Sequence, residues 1–109
     1  MANVNKVLGQ QNPSATTNTT LYTVPASTST VVSSLIVCNR SATATSFRIA
    51  VRPAGATISN EHYIYYDTTI AGNDTFAATL GMTLATTDVV TVYATLATLS
   101  FNLFGQEIS

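Results

Sequence analysis

Charge is what this chain has least of. Only 8% of its 109 residues are Asp, Glu, Lys or Arg, where an ordinary soluble domain carries about 25%. The formal net charge is -1, so no global field draws the protein towards nucleic acid or an anionic membrane. The four basic residues are Lys6, Arg40, Arg48 and Arg52, and they form no basic stripe interleaved with aromatics. Cysteine is nearly missing as well. Cys38 alone cannot form an intramolecular disulfide or a cysteine-rich metal site, and its place in Leu35-Ile36-Val37-Cys38 reads as a small buried hydrophobe. No apolar run approaches the roughly 20 residues needed to span a bilayer. The N-terminus has no basic-then-apolar leader, so a protein made in the cytoplasm is expected.

What replaces the missing charge is Thr, Ser, Ala and Asn, with Thr the commonest residue. Two physical readings compete. A Thr/Ser face can solvate a sheet, because Thr fits the pleated surface and offers a hydroxyl to water. Alternatively, much of the surface lies against other protein, where charges would be costly to desolvate. The second is the expectation here.

The length suits one domain. Met1 to Thr20 is polar and Asn/Gln/Thr-rich, with Val4, Val7 and Leu8 its only sizeable apolar residues, too few to bury an ordered unit alone. Residues 1–20 therefore read as an extended N-terminal arm that orders on a neighbour, and residues 21–109 as the folded domain. From Leu21 onward short β-prone runs alternate with turns. Leu21 to Val24 is closed by Pro25. Val31 to Asn39 is apolar on both parities around Leu35–Val37, which suits a strand with one face in the core and the other covered, whether by its own chain or by a partner. In Thr45 to Arg52, Thr45, Phe47, Ile49 and Val51 point one way and Arg48 and Arg52 the other. In Glu61 to Thr68, His62, Ile64 and Tyr66 read as the core face and Tyr63 and Tyr65 as the exposed one. Phe76 to Leu84, Val89 to Ala94 and Leu99 to Phe104 complete the series. About seven or eight strands with regularly spaced turns predict an all-β, antiparallel, jelly-roll-like β-sandwich, and no helical period competes.

Chemistry finds few footholds. His62 is the only histidine. It sits beside Glu61 on an expected strand, where consecutive side chains leave on opposite faces, and nothing fixes a third catalytic member. Asp67, Asp74 and Asp88 fall at or near strand ends, where Asp caps backbone N–H groups. No calcium-loop or phosphate-cradling pattern occurs. The sequons at Asn18, Asn39 and Asn73 are what an Asn/Thr-rich composition produces by chance. The expectation is a non-enzymatic protein without cofactor or metal. Its candidate interface residues are Val4, Val7, Leu8, Arg48, Arg52, Tyr63 and Tyr65. The tyrosines 63, 65 and 66 offer a platform for protein or for a carbohydrate ring.

As a set, Lys6 to Pro13, Leu21 to Ala26, Val37 to Arg40, Phe47 to Gly55 and Leu99 to Gly105 resemble a family of small virion structural proteins of tailed phages, including those of cyanobacteria and marine bacteria. The likeness covers nearly the whole chain. The resemblance implies a place in the virion, with small β-domains of this kind serving as capsid cement (decoration) proteins that sit as homotrimers and clamp neighbouring copies of the major capsid protein. Tail, neck or baseplate parts are the alternative it leaves open, and a carbohydrate-binding module for host attachment is a third.

Overall fold

The computed structural model describes residues 2–109; Met1 lies outside the described residues. Eight strands form, β1 (Asn3–Gln11), β2 (Thr19–Thr23), β3 (Ser29–Asn39), β4 (Thr45–Arg52), β5 (Tyr63–Ile70), β6 (Thr75–Leu84), β7 (Val89–Ala94) and β8 (Leu99–Ile108). Two short 3-10 turns, Pro53–Gly55 and Asn60–His62, interrupt the β4–β5 connection. The strands make two four-stranded antiparallel sheets, ordered β1-β8-β3-β6 and β2-β7-β4-β5. Every connection except β4–β5 switches sheet, the double Greek-key wiring of a jelly roll. The β-sandwich expected from the sequence is therefore the observed fold.

Period-two alternation builds the core between the sheets. From one sheet come Leu35 and Val37 of β3 with Leu99, Phe101 and Leu103 of β8; from the other come Phe47 and Ile49 of β4 with Val90 and Val92 of β7, all fully buried. Phe47 sits at the centre, edge-on to Phe101 at 6.1 Å and tilted against Phe76 at 5.3 Å and Tyr65 at 6.2 Å. Burying a side chain of this size stabilises the fold by about 1.5–3 kcal/mol.

The structure corrects three expectations. The first concerns residues 1–20, which are not an arm apart from the domain. Residues 3–11 pair along β8 as the edge strand β1, and Thr19 already belongs to β2. An edge strand needs little apolar content of its own, because the neighbouring strand satisfies its backbone on one side and amide side chains pair across the ladder. Gln10 donates to Asn102 at 2.7 Å and Gln106 to Asn5 at 3.0 Å. The second concerns β5, where Tyr65, Ile64 and Tyr66 change places while Tyr63 stays on the outer face as expected, opposite Ala50. Tyr65 opposes the buried Ile49 and packs on the core, while Ile64 and Tyr66 are exposed. Two bulges are the reason, one of them at Ile64, the extra residue between the Ile49–Tyr65 and Ala50–Tyr63 pairs. Between the Ile49–Tyr65 and Phe47–Thr68 pairs β5 holds one extra residue, with Asp67 at φ 50°, and an extra residue re-aims the side chains beside it. The third is Cys38, which lies on the outward parity of β3, opposite Ser100 and Thr75, and is half-buried.

Candidate interaction surfaces

The register places one feature that composition only hinted at. On the outer face of the β1-β8-β3-β6 sheet, the strands present Asn5, Val7 and Gln10 of β1, with Asn102, Phe104 and Gln106 of β8 beside them. Across β8 come Val31, Ser34, Ile36 and Cys38 of β3, then Ala77, Thr79 and Thr83 of β6. Among the described residues this whole face carries no charged side chain. Lys6 and Glu107 belong to the same strands but have the opposite parity, opposing Gly105 and Thr30. The first charge met along β3 is Arg40, one residue beyond the strand end. Its larger apolar residues are Val7 and Phe104, which oppose each other, and Val31 and Ile36 of β3, which flank Ser34, the residue opposite Phe104. Of the residues expected at an interface, Val7 lies here and is 47% exposed. Val4 is 50% exposed but has inward parity at the edge, and Leu8 packs against the core. Phe104 and Ile36 share this face with Val7 but were not among the residues the sequence singled out. The signal for Ile36 was the apolar content on both parities of Leu35–Val37.

The outer face of the other sheet is different in kind. Arg48 of β4 lies between two rings, its guanidinium carbon 4.3 Å from the Tyr66 centroid and 4.4 Å from that of Tyr93. It also donates to Asp67 at 2.6 and 3.4 Å. That paired carboxylate raises the Arg48 pKa still further above its ordinary value. Tyr63 stands edge-on to Tyr66 at 4.9 Å, and the two line a shallow depression of about 450 Å³ with Asn60. The cation–π contacts of Arg48 with Tyr66 and Tyr93 are of a kind worth about 0.5–1 kcal/mol at an exposed site. Arg48 is thus held within its own chain. Arg52 is held more fully, donating to the Thr91 hydroxyl at 3.1 Å and to the Ala56 carbonyl at 3.0 Å. It thereby ties the β4–β5 connection to the sheet face, where Ala50 and Thr91 are buried.

Glu61 and His62 are not on a strand, so the expected opposite orientation does not hold. Both lie in the Asn60–His62 turn, with Nε2 of His62 3.9 Å from Oε2 of Glu61. Nδ1 of His62 accepts the Ser59 backbone N–H at 3.1 Å, which commits that nitrogen to capping the turn. Asp88 and Asp74 behave as expected, accepting backbone N–H groups of Ala54, Ala85 and Thr75 at 2.8–2.9 Å. Asp67 instead pairs with Arg48. Among the described residues no three His, Cys, Asp or Glu side chains converge as a metal site, and no helix is long and apolar enough to cross a membrane.

Polar clusters hold the structure behind these faces. At one end Asn39 is buried, donating to the Thr43 and Ala71 carbonyls at 2.9 and 3.2 Å. Its carbonyl oxygen accepts from Ser41 and Thr98 at 3.1 and 3.2 Å, so one amide joins three inter-sheet loops and is unavailable to a glycan. Elsewhere the hydroxyl of Tyr22 contacts Thr30 at 2.8 Å and donates to Glu107 at 2.5 Å, and Lys6 reaches the other Glu107 oxygen at 3.3 Å. Burial, with the Glu107 hydrogen bond adding, pushes the Tyr22 hydroxyl up to about 12. The Tyr22 hydrogen bond, reinforced by Lys6, holds the Glu107 carboxyl below its usual range. Comparison with family models, with curated proteins and with solved structures finds no match for this chain.

Proposed function

We propose that this chain is a non-enzymatic structural protein of a tailed-phage virion, acting as a capsid cement protein that binds neighbouring capsid subunits and stabilises the shell. The observation that carries the reading is the charge-free outer face of the β1-β8-β3-β6 sheet. A surface in permanent contact with protein avoids the desolvation of charge, and interface cores are depleted in charged residues. The sequence resemblance supports the same setting. Immunogold labelling of particles, with copy number measured against the major capsid protein, is the test. A cement protein labels the head at a copy number on the scale of the shell. Label confined to the tail, neck or baseplate replaces the cement reading with a tail component.

The Tyr63–Tyr66–Asn60 depression supports a second reading, carbohydrate recognition for host attachment, since exposed rings and an amide suit a sugar ring. The residue to test is Tyr66, which is 57% exposed, not the inward Tyr65. Signal on a glycan array that disappears in Tyr66→Ala supports this reading, and a silent array dismisses it.

A further inference from the structure

We propose that the charge-free face of the β1-β8-β3-β6 sheet packs against the same face of a second copy of this chain, giving a two-fold pair. This deepens the structural reading above and rests on it only for the claim that the face is covered.

Four features of the face point to its own copy as occupant. First, a two-fold contact sets a patch against itself, so any charged patch would meet like charge. The opposite sheet face, with Arg48, Arg52 and Asp67, does not offer the neutral surface that this one matches. Second, the polar groups of the face are amides and hydroxyls, including Asn5, Gln10, Asn102, Gln106 and Thr79. Each can both donate and accept, so two copies of the face find partners in each other without a second chemistry. Third, the size suffices. Four strands about 4.8 Å apart and about ten residues long, at about 3.3 Å per residue, cover roughly 600 Å² in plan. The corrugated accessible area exceeds the plan area and reaches the scale of the roughly 800 Å² per partner of a standard interface. Fourth, a net charge of -1 leaves little long-range repulsion between copies. Val31, Ile36 and Phe104 supply apolar area interspersed with the amides of β8, the mixture of apolar and hydrogen-bonding groups found in protein interfaces. A three-fold ring, as the sequence resemblance implies, would instead set this face against a different surface of its neighbour.

Cys38 lies on this face and, as the single cysteine, is a built-in reporter. The experiment uses the full chain and measures molar mass by light scattering or sedimentation alongside the rate of Cys38 labelling by a maleimide, both across a concentration series. The expected result is twice the chain mass at high concentration, with labelling slowed in step as the pair forms. Ala77 is exposed on the edge strand β6, so Ala77→Lys keeps the fold, checked by circular dichroism. It raises the dissociation constant about a hundredfold through like charge in the joint and restores fast labelling. Ile36→Lys at the centre gives the same result in a second place. A monomer at all concentrations, a pair in which Cys38 labels as fast as in dilute solution, or three times the chain mass overturns the proposal. A folded Ala77→Lys protein that still pairs with the same affinity does so too. These outcomes are separate from the cement reading. Tail labelling on particles ends that reading and leaves the pair standing, whereas a monomer ends the pair and leaves the location unaffected.

Discussion

Asn39 and Glu107 do more for this sandwich than their residue types announce. The Asn39 amide makes contacts to four residues, two carbonyl acceptors and two donors, at a buried position. Asn39→Ala strands the Thr43 and Ala71 carbonyls and should cost about 2–6 kcal/mol, at about 1–3 kcal/mol per stranded buried group; urea denaturation measures it. A change below the error of the fit would mean that water replaces the amide. Glu107 supplies a pH dependence. Its carboxyl is held below its ordinary value in the fold, so the stability it contributes is present above the unfolded pKa of about 4.3 and is lost as pH falls through the folded value. Tyr22 acts in the opposite sense. Raised to about 12, it contributes stability that is complete below its ordinary value of about 10 and is lost as pH rises through the folded value. Glu107→Gln should therefore destabilise the protein near neutrality, and the gap from wild type should close in acid. Denaturation midpoints between about pH 3 and 7 read this, and a gap constant with pH would contradict it. Neither role was legible in the sequence. Asn39 reads there as a sequon or a strand end, and the Glu107–Tyr22 pairing joins residues that only the strand order brings together.

At the scale of elements, the strands were legible wherever alternation is strict. Thr45 to Val51, Phe76 to Leu84 and Leu99 to Phe104 face as their period-two patterns indicate, because core burial fixes register through the pleat. Two elements were not legible. β1 lacks an apolar face, and what orders it is the free edge of β8, a long-range property that local composition does not contain. β5 carries a strong aromatic pattern, but the bulge at Asp67 and a second register shift at Ile64 re-aim its side chains, so the inward tyrosine is Tyr65 and Tyr63 stays outside. The docking of β1 can be tested at Gly9, where an added methyl group would lie 2.1 Å from the Leu21 carbonyl oxygen. Gly9→Ala should force β1 away from β2 and cost about 1–3 kcal/mol, the range for overpacking. Amide hydrogen exchange should show lost protection across Asn3–Gln11 while β4 and β7 keep theirs. Uniform loss across all strands would mean that β1 is integral to the core and not a separately docked edge.

The whole molecule is organised by where charge is placed. A chain with so few charged residues could have spread them evenly, but Arg48, Arg52 and Asp67 gather on one sheet, Lys6 and Glu107 pair with each other on the opposite parity of β1 and β8, and the outer face of that sheet is left neutral. The charge deficit predicted a covered surface from composition alone, and Val31 to Asn39 predicted a strand with both faces occupied. Which face is left neutral depends on the jelly-roll order, which sets β3 and β8 side by side and so brings Ile36 and Phe104 onto one face. The most direct measurement of the central claim is a reconstruction of the intact phage particle at a resolution that traces this chain. The account predicts copies on the head with Ile36 and Phe104 buried beneath protein density and the Tyr66–Arg48 face turned away from that contact. A map in which the β1-β8-β3-β6 face looks into solvent would contradict it.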